Sequence, residues 1–205
     1  QTSVEWAKRC KTEFGNNKLL DGSKGANGVV SGANLEFVGA TRDTKASGPR
    51  GYAVHITQVA RRAQVTGTLA LTNEIIDRGE QITITEGSKT VNFQTIKGET
   101  VENNMNALTA AIKEAGLNLD MIRPEEINTD ANAPQIISLR HKEFGSEHSF
   151  QVSSTTAGLL SSKGDVYDTI TNGLDVAGEI NGEEATGKGQ AVSYTHLTLP
   201  TNREV

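Results

Sequence analysis

Apolar and polar positions alternate over several short stretches of this chain. The clearest is YAVHITQ, residues 52–58, where a period of two places the first, third and fifth side chains on one face of a predicted strand. Two shorter apolar runs, GVV at 28–30 and LEFV at 35–38, lie within a stretch from residue 21 to residue 51 that is rich in Gly, Ser, Asn and Thr. These patterns predict short strands separated by turns.

The best defined unit covers residues 80–122. Two β-branched runs, QITIT at 81–85 and TVNF at 90–93, flank Gly87, which can take a positive φ at little steric cost, so they predict a hairpin. Thr100 is a predicted N-cap and Gly116 a predicted stop for the helix that follows. Between them, apolar residues recur at spacings of three and four: Val101, Met105, Leu108, Ile112 and Ala115. We therefore expect an amphipathic helix that lies across the hairpin.

Three further elements are predicted from shorter signals. Residues 134–139 and 148–152 form a second predicted hairpin that turns at 144–146. A last strand pair flanks Asn181-Gly182, a strong hairpin turn signal. Residues 2–12 carry good helix formers with no Gly or Pro before the stop at 13–15, which predicts the end of a helix.

Composition favours small β-rich units over a thick enzyme core. Only 35% of the 205 residues are apolar and 4% are aromatic, while Gly contributes 21 residues. The net charge is -5 and the densest basic spots are only residue pairs, at 8–9 and 61–62, which disfavours binding to nucleic acid or to an anionic membrane. Cys10 is the only cysteine, so the chain has no intrachain disulfide and no thiol cluster for a metal.

A phosphate-binding loop is the first chemical alternative. Residues 182–189 (GEEATGKG) nearly match the pattern GxxxxGK[ST]. However, Gly189 stands where a hydroxyl must hold magnesium, Glu183 and Glu184 put negative charge where phosphates would lie, and no helix follows. We expect a Gly-rich hairpin there instead.

Metal and catalytic sites are the other chemical alternatives. Four potential metal ligands lie within eight residues, but they flank the predicted turn at 144–146 and are more simply a solvated hairpin end: His141, Glu143, Glu147 and His148. Three aspartates lack the spacing of a calcium loop and are expected to be solvated: Asp165, Asp168 and Asp175. His55 is expected on a strand face, and no nucleophile motif is present, so we expect no enzyme, no cofactor and no metal.

Three runs resemble proteins of the bacterial flagellum. Residues 12–23 (TEFGNNKLLDGS) resemble the segment of flagellins that follows the long N-terminal helices. Residues 80–119 are similar to a small hairpin–helix repeat in the outer domains of flagellins and hook-associated proteins. Residues 173–190 (GLDVAGEINGEEATGKGQ) are similar to a run of the same families that is especially familiar from the filament cap protein.

The first run favours flagellin, with the filament cap or another hook-associated protein as the alternative. In flagellin this segment would be the exit from the helical stem, with apolar anchors and turn residues at Thr12, Glu13, Phe14, Gly15, Lys18, Leu19, Leu20, Asp21, Gly22 and Ser23. Trp6 and Cys10 are unusual for a stem helix, and neither terminal helical region of flagellin is present.

The resemblance implies an α+β architecture and an extracellular role. A short helical stem remnant, residues 1–23, would precede a β-rich outer domain of hairpins with one packed helix, residues 24–191. The protein would be a secreted, self-polymerising subunit of the flagellar filament that serves motility. Its partners would be other flagellin subunits, the flagellar export apparatus, an export chaperone and the filament cap, with no nucleic acid or membrane partner. Because polymerisation in that family depends on the terminal helices, residues 1–205 alone should not form filaments.

Residues 192–205 (VSYTHLTLPTNREV) fit none of these patterns. They resemble the translation of a sequencing-library adapter read through the end of a gene. We expect them to be a non-native, disordered tail.

Overall fold

A computed structural model describes residues 9–12, 28–30, 37–39, 51–123, 130–169 and 171–194. These residues form thirteen strands and two helices. In chain order they are β1 Arg9–Thr12, β2 Gly28–Val30, β3 Tyr52–Gln58, β4 Arg62–Thr66, α1 Asn73–Arg78, β5 Gln81–Glu86, β6 Lys89–Gln94, α2 Val101–Glu114, β7 Leu119–Met121, β8 Ser138–Phe144, β9 Gln151–Ser154, β10 Asp168–Thr169, β11 Ala177–Ile180, β12 Glu183–Lys188 and β13 Ala191–Ser193. The α+β class is confirmed.

The chain divides into two compact units. One consists of residues 1–60 together with 175–205, and the other consists of residues 61–174. The second unit is therefore an insertion into the first, which the sequence did not predict. The predicted boundary between residues 23 and 24 lies outside the described residues.

The first unit contains one antiparallel sheet with the strand order β13-β12-β11-β3-β1-β2. The predicted strand at 52–58 is confirmed as β3, and its alternation is visible in burial, because Tyr52, Val54 and Ile56 are each less exposed than the neighbouring side chains. The run at 28–30 is confirmed as β2. Phe37 and Val38, from the second predicted run, are irregular.

The second unit places α2 against β6 and β7 over a common apolar core. One sheet has the order β10-β9-β5-β6, and a three-stranded sheet has the order β4-β8-β7. Core residues from the helix and the hairpin include Ile82, Ile84, Met105, Leu108 and Ile112. The predicted hairpin and helix are confirmed, with Thr100 as the N-cap whose hydroxyl accepts the Asn103 amide at 3.0 Å. Neither helix in the described residues is long and apolar enough to cross a membrane.

The predicted hairpin between 134–139 and 148–152 is wrong. Residues of β8 pair with β4 and β7, whereas β9 pairs with β5 and β10. The two strands belong to different sheets because each finds apolar partners in distant parts of the chain, which a local turn signal does not reveal. Gly145, in the predicted turn, instead donates its amide to the carbonyl of Arg61 at 3.2 Å.

Two predictions at the ends of the chain are also corrected. The helix predicted over residues 2–12 is wrong for Arg9–Thr12, which form β1 between β2 and β3, because strand pairing overrides a weak helix preference. Residues 2–8 of that helix lie outside the described residues. In the predicted disordered tail, Val192 and Ser193 form part of β13 and pair with β12, whereas residues 195–205 are not described.

Candidate functional site

The run at 173–190 forms a hairpin whose turn is fixed by two residues. Asn181 and Gly182 both have positive φ, 55° and 81°, the pattern of a type I′ turn. The Asn181 side-chain oxygen also accepts the amide of Ala53 at 2.9 Å, and the Asn181 amide donates to the Ala53 carbonyl at 2.7 Å. The turn thus joins β11 to β12 and ties both to the start of β3.

Two glycines of this run allow close backbone contacts. A Cβ atom on Gly178 would lie 2.4 Å from the carbonyl oxygen of His55 in β3. A Cβ atom on Gly187 would lie 1.6 Å from the carbonyl oxygen of Val176. Any larger residue would push these backbones apart, so glycine is required at Gly178 by the contact with β3 and at Gly187 by the contact with Val176 in the same run.

Hydrogen bonds between the two ends of the run hold the hairpin together. Asp175 accepts the amide of Gly189 at 2.6 Å, and the Val176 amide donates to the Gly189 carbonyl at 2.8 Å. Val176 and Ala185 are buried between these contacts. Residues 182–189, which resemble a phosphate loop in sequence, are a turn followed by strand β12, so the predicted Gly-rich hairpin is confirmed.

Buried polar residues also stabilise the hairpin–helix unit, through hydrogen bonds to backbone groups. Asn104 in α2 is fully buried, and its side chain accepts the Ile96 amide at 2.7 Å and donates to the Thr100 carbonyl at 3.0 Å. It fixes the loop between β6 and α2 to the first turn of the helix. The sequence gives no direct signal for this role, because Asn104 stands on the apolar face of the predicted helix.

A carboxylate network fastens the N-terminal end of α2. Glu102 accepts hydrogen bonds from Arg123 at 2.6 Å and from Gln135 at 3.0 Å. The hydrogen bonds from Gln135 and Arg123, together with the positive charge of Arg123, lower the pKa of Glu102 below the ordinary value of a glutamate. This network connects α2 with the segments on either side of residues 124–129.

The candidate histidine cluster is partly assembled. The rings of His141 and His148 stack with their centroids 4.9 Å apart. Nε2 of His141 lies 2.8 Å from a carboxylate oxygen of Glu86, and Nε2 of His148 lies 3.2 Å from one of Glu143. Glu86, which sequence reasoning missed, comes from β5, whereas Glu147 lines an adjacent open cavity of ≈ 330 Å³ with both histidines.

The hydrogen bonds of this cluster show which groups the histidine ring nitrogens are directed at. The Glu143 amide donates to Nδ1 of His141 at 3.0 Å, and the tautomer compatible with this bond carries its hydrogen on Nε2, which donates to Glu86. Glu86 also accepts the Asn118 amide at 2.7 Å. The two Nε2 atoms are thereby directed at different carboxylates, and no group of three or more potential ligands among the described residues could hold a metal ion.

The three candidate aspartates serve separate local roles. Asp168 accepts the amide of Ser162, and this hydrogen bond lowers the pKa of the Asp168 carboxyl. The Asp165 amide donates to the Ser154 carbonyl at 2.8 Å. With Asp175 bound to Gly189, these contacts make each aspartate part of a loop. His55 lies exposed on β3, as predicted for a strand-face residue.

Of the proposed stem-exit residues, only Thr12 is described, as the last residue of β1. Residues 13–23 lie outside the described residues, so their role stays a prediction.

Neither a protein-family model nor a curated protein sequence matches the chain. The chain is similar to solved structures of flagellar cap protein FliD. For the D1-D2-D3 domains from Escherichia coli the identity is 16% and the TM-score 0.45, covering 68% of this chain and 42% of that one. For the D2-D3 domains from Escherichia coli the values are 14% and 0.45, with 72% and 82% covered. For the protein from Bdellovibrio bacteriovorus they are 13% and 0.39, with 68% and 76% covered.

Proposed function

We propose that the chain is part of a structural protein of the bacterial flagellum, of the filament-cap and hook-associated group. Its role is to form a rigid outer domain, with no catalytic step. The run at 173–190, which resembles the cap protein most closely in sequence, carries this proposal. The partial overlap with solved cap-protein structures is consistent with it.

The main observation is that the turn residues, the glycines and Asp175 of this run all form contacts within the fold of the hairpin and its neighbouring strand. Asn181 and Gly182 form the turn, Gly178 and Gly187 permit close strand contacts, and Asp175 caps the end of the hairpin. A catalytic or ligand-binding motif uses its polar groups on a substrate. A motif whose residues make their contacts within the protein's own fold is typical of a structural protein.

The hairpin–helix unit supports the same conclusion. Its polar residues on the buried side, Asn104 and Glu80, are satisfied by neighbouring backbone and hydroxyl groups. The stacked histidines are likewise paired with carboxylates, His141 with Glu86 and His148 with Glu143. These clusters stabilise the fold.

Flagellin is the second candidate, favoured by the run at 12–23. The flagellin reading requires a stem helix that continues up to this run. Arg9–Thr12 instead form strand β1, which pairs with β3, and β3 also pairs with β11 from the run at 173–190. This arrangement favours the cap and hook-associated group. For either candidate, the partners would be flagellin subunits and the flagellar export apparatus with its chaperone, and the location would be extracellular.

The sequence of the intact gene distinguishes the two candidates. A flagellin gene is expected to encode a long heptad-bearing helix directly upstream of residue 1 and a matching helix downstream of residue 205. A cap-protein gene is expected to place a much longer region before the hairpin–helix unit. A gene with neither arrangement would contradict both candidates.

A further inference from the structure

Strand β8 contains a β-bulge next to the stacked histidines. Arg62 of β4 lies opposite Phe144, but Gln64, two residues further along β4, lies opposite Arg140, four residues away in β8. Residues 141–143 of β8 therefore face a single residue of β4, while β8 stays in register with β7 on its other edge. Bulges redirect side chains and are frequent next to functional sites. We call residues 141–143 the β8 bulge.

His141, the first residue of the β8 bulge, has a donor and an acceptor beside the same ring nitrogen. Its Nδ1 lies 3.0 Å from the amide nitrogen of Glu143 and 3.3 Å from the carbonyl oxygen of that residue. The neutral ring with its hydrogen on Nε2 accepts the amide. The imidazolium form carries a hydrogen on Nδ1 as well, so it cannot accept the amide and can donate to the carbonyl. Protonation therefore exchanges one backbone contact of Glu143 for the other.

The Glu86 carboxylate compensates the charged form of His141. The residue is only 1% exposed, and an unpaired charge at such a position is strongly disfavoured. One carboxylate oxygen of Glu86 lies 2.8 Å from Nε2 of His141, and the other accepts the Asn118 amide at 2.7 Å. Because Nε2 carries a hydrogen in both forms of the ring, this contact is kept in both. Only the Nδ1 side of the ring changes its partner.

The other charged and titratable groups near His141 come from the elements packed against it and from its own strand. They are Lys89 of β6, Asp120 of β7, Lys142 and Glu143 of β8, and Glu147 and His148 of the loop after β8. The His148 ring stacks on that of His141, and its Nε2 lies 3.2 Å from a carboxylate oxygen of Glu143. Glu143 thus contacts one histidine through its backbone and the other through its side chain.

We propose that the β8 bulge is a pH-sensitive switch operated by His141. Histidine is the side chain that changes charge between about pH 8 and pH 5. As the pH falls through this range, Nδ1 takes a proton from solvent and donates it to the Glu143 carbonyl in a hydrogen bond. The Glu143 amide loses its acceptor, so the bulge opens more readily in acid. The inference is independent of the proposed function, because it depends only on the contacts of this bulge.

Nuclear magnetic resonance of the whole chain tests the switch without any substitution. Long-range proton–nitrogen correlations of the His141 ring should show hydrogen on Nε2 alone at about pH 8 and on both nitrogens at about pH 5. Over the same range the Glu143 amide should lose about tenfold of its protection from hydrogen exchange, corrected for the intrinsic effect of pH, because one hydrogen bond is lost. A ring with hydrogen on Nδ1 at pH 8, a ring that stays neutral at pH 5, or constant protection of the amide would overturn the proposal.

His141→Asn holds the switch in its neutral state. The asparagine oxygen can still accept the Glu143 amide but does not titrate, so the protection of this amide should be the same at about pH 8 and about pH 5. His55→Gln on the exposed side of β3 is the matched control and should keep the full change. A tenfold loss of protection that persists in His141→Asn, or one that is abolished by His148→Gln instead, would overturn the role of His141.

Glu86→Gln tests the charge pair in a chain that keeps the titrating ring. The substitution removes the negative charge that compensates the imidazolium and leaves one acceptor oxygen. The change in Glu143 protection should therefore need a more acidic pH than in wild type, provided that a dispersed spectrum at pH 8 shows the variant to be folded. The same pH dependence in both proteins would overturn the proposal. None of these results bears on the flagellar assignment, which is tested separately by the intact gene.

Discussion

Glu80 and Thr156 are joined by two hydrogen bonds across 76 residues of sequence. One carboxylate oxygen of Glu80 accepts the Thr156 amide at 2.8 Å, and the other accepts the Thr156 hydroxyl at 2.5 Å. Glu80 is only 3% exposed. The pair fixes the loop after β9 to the residue that begins the hairpin–helix unit, so this unit is held from outside its own sequence.

We expect Glu80→Gln to destabilise the protein by about 1–3 kcal/mol, because an amide group cannot accept both hydrogen bonds and leaves a buried donor unpaired. The free energy of unfolding in urea measures the effect. Glu114→Gln, on the exposed side of α2, is the control and should change it by less than about 0.5 kcal/mol. Equal stability of the two variants would show that the Thr156 contacts do not hold the loop.

Asn104→Ala should cost about 1–3 kcal/mol, because it removes a fully buried side-chain amide and leaves the Ile96 backbone amide without its acceptor. Asn103 is the adjacent residue, and its exposed side chain bonds only to the exposed Glu99 carboxylate at 2.7 Å. Asn103→Ala should therefore have a much smaller effect on the same denaturation curve. If the two alanine variants unfold at the same urea concentration, the buried amide does not anchor the loop before α2.

Gly187→Ala should destabilise the hairpin of β11 and β12 by about 1–3 kcal/mol, because its Cβ atom would overlap the carbonyl oxygen of Val176. Gly39→Ala is a matched control, since no atom lies within 4 Å of the Cβ position there. Amide hydrogen exchange of β11 and β12 measures local opening. Faster exchange in Gly39→Ala than in Gly187→Ala would contradict the packing role of this glycine.

Stability should depend on Glu102 at acidic pH. Hydrogen bonds from Gln135 and Arg123 lower the folded-state pKa of Glu102 below its value in the unfolded chain, so the ionised form is favoured by folding. Its contribution is full above the unfolded-state pKa and is lost as the pH falls through the folded-state pKa. Glu102→Gln should accordingly lose less stability than wild type when the pH is lowered from about 6 to about 3. Parallel pH profiles for both proteins would contradict this assignment.

Local signals predicted the elements that depend on neighbouring residues. Gly87 and Asn181-Gly182 impose hairpin turns, and Thr100 with Gly116 delimits α2, because positive φ and capping are properties of single positions. The short helix α1 was not predicted, although Thr72 and Gly79 cap it, since six residues contain too little periodicity.

The pairing of strands that are distant in the sequence could not be predicted from such local signals. Ser138–Phe144 and Gln151–Ser154 are close in sequence but belong to different sheets, and the choice between partners depends on strands up to about 80 residues away in the chain. The sequence also grouped His141, Glu143 and His148, but it could not reveal Glu86 on β5. The Glu86 carboxylate binds Nε2 of His141, so this ring is directed at a carboxylate and not at a metal ion shared with Glu143 and His148.

Immunogold electron microscopy tests the flagellar assignment most directly. Antibodies raised against this chain are applied to flagella of the bacterium that encodes it, and pre-absorption with the purified chain serves as the control. The account predicts gold particles at the distal tip of the filament or at the hook–filament junction. Continuous labelling along the filament would favour flagellin instead, and a complete absence of label from intact flagella would contradict a flagellar role.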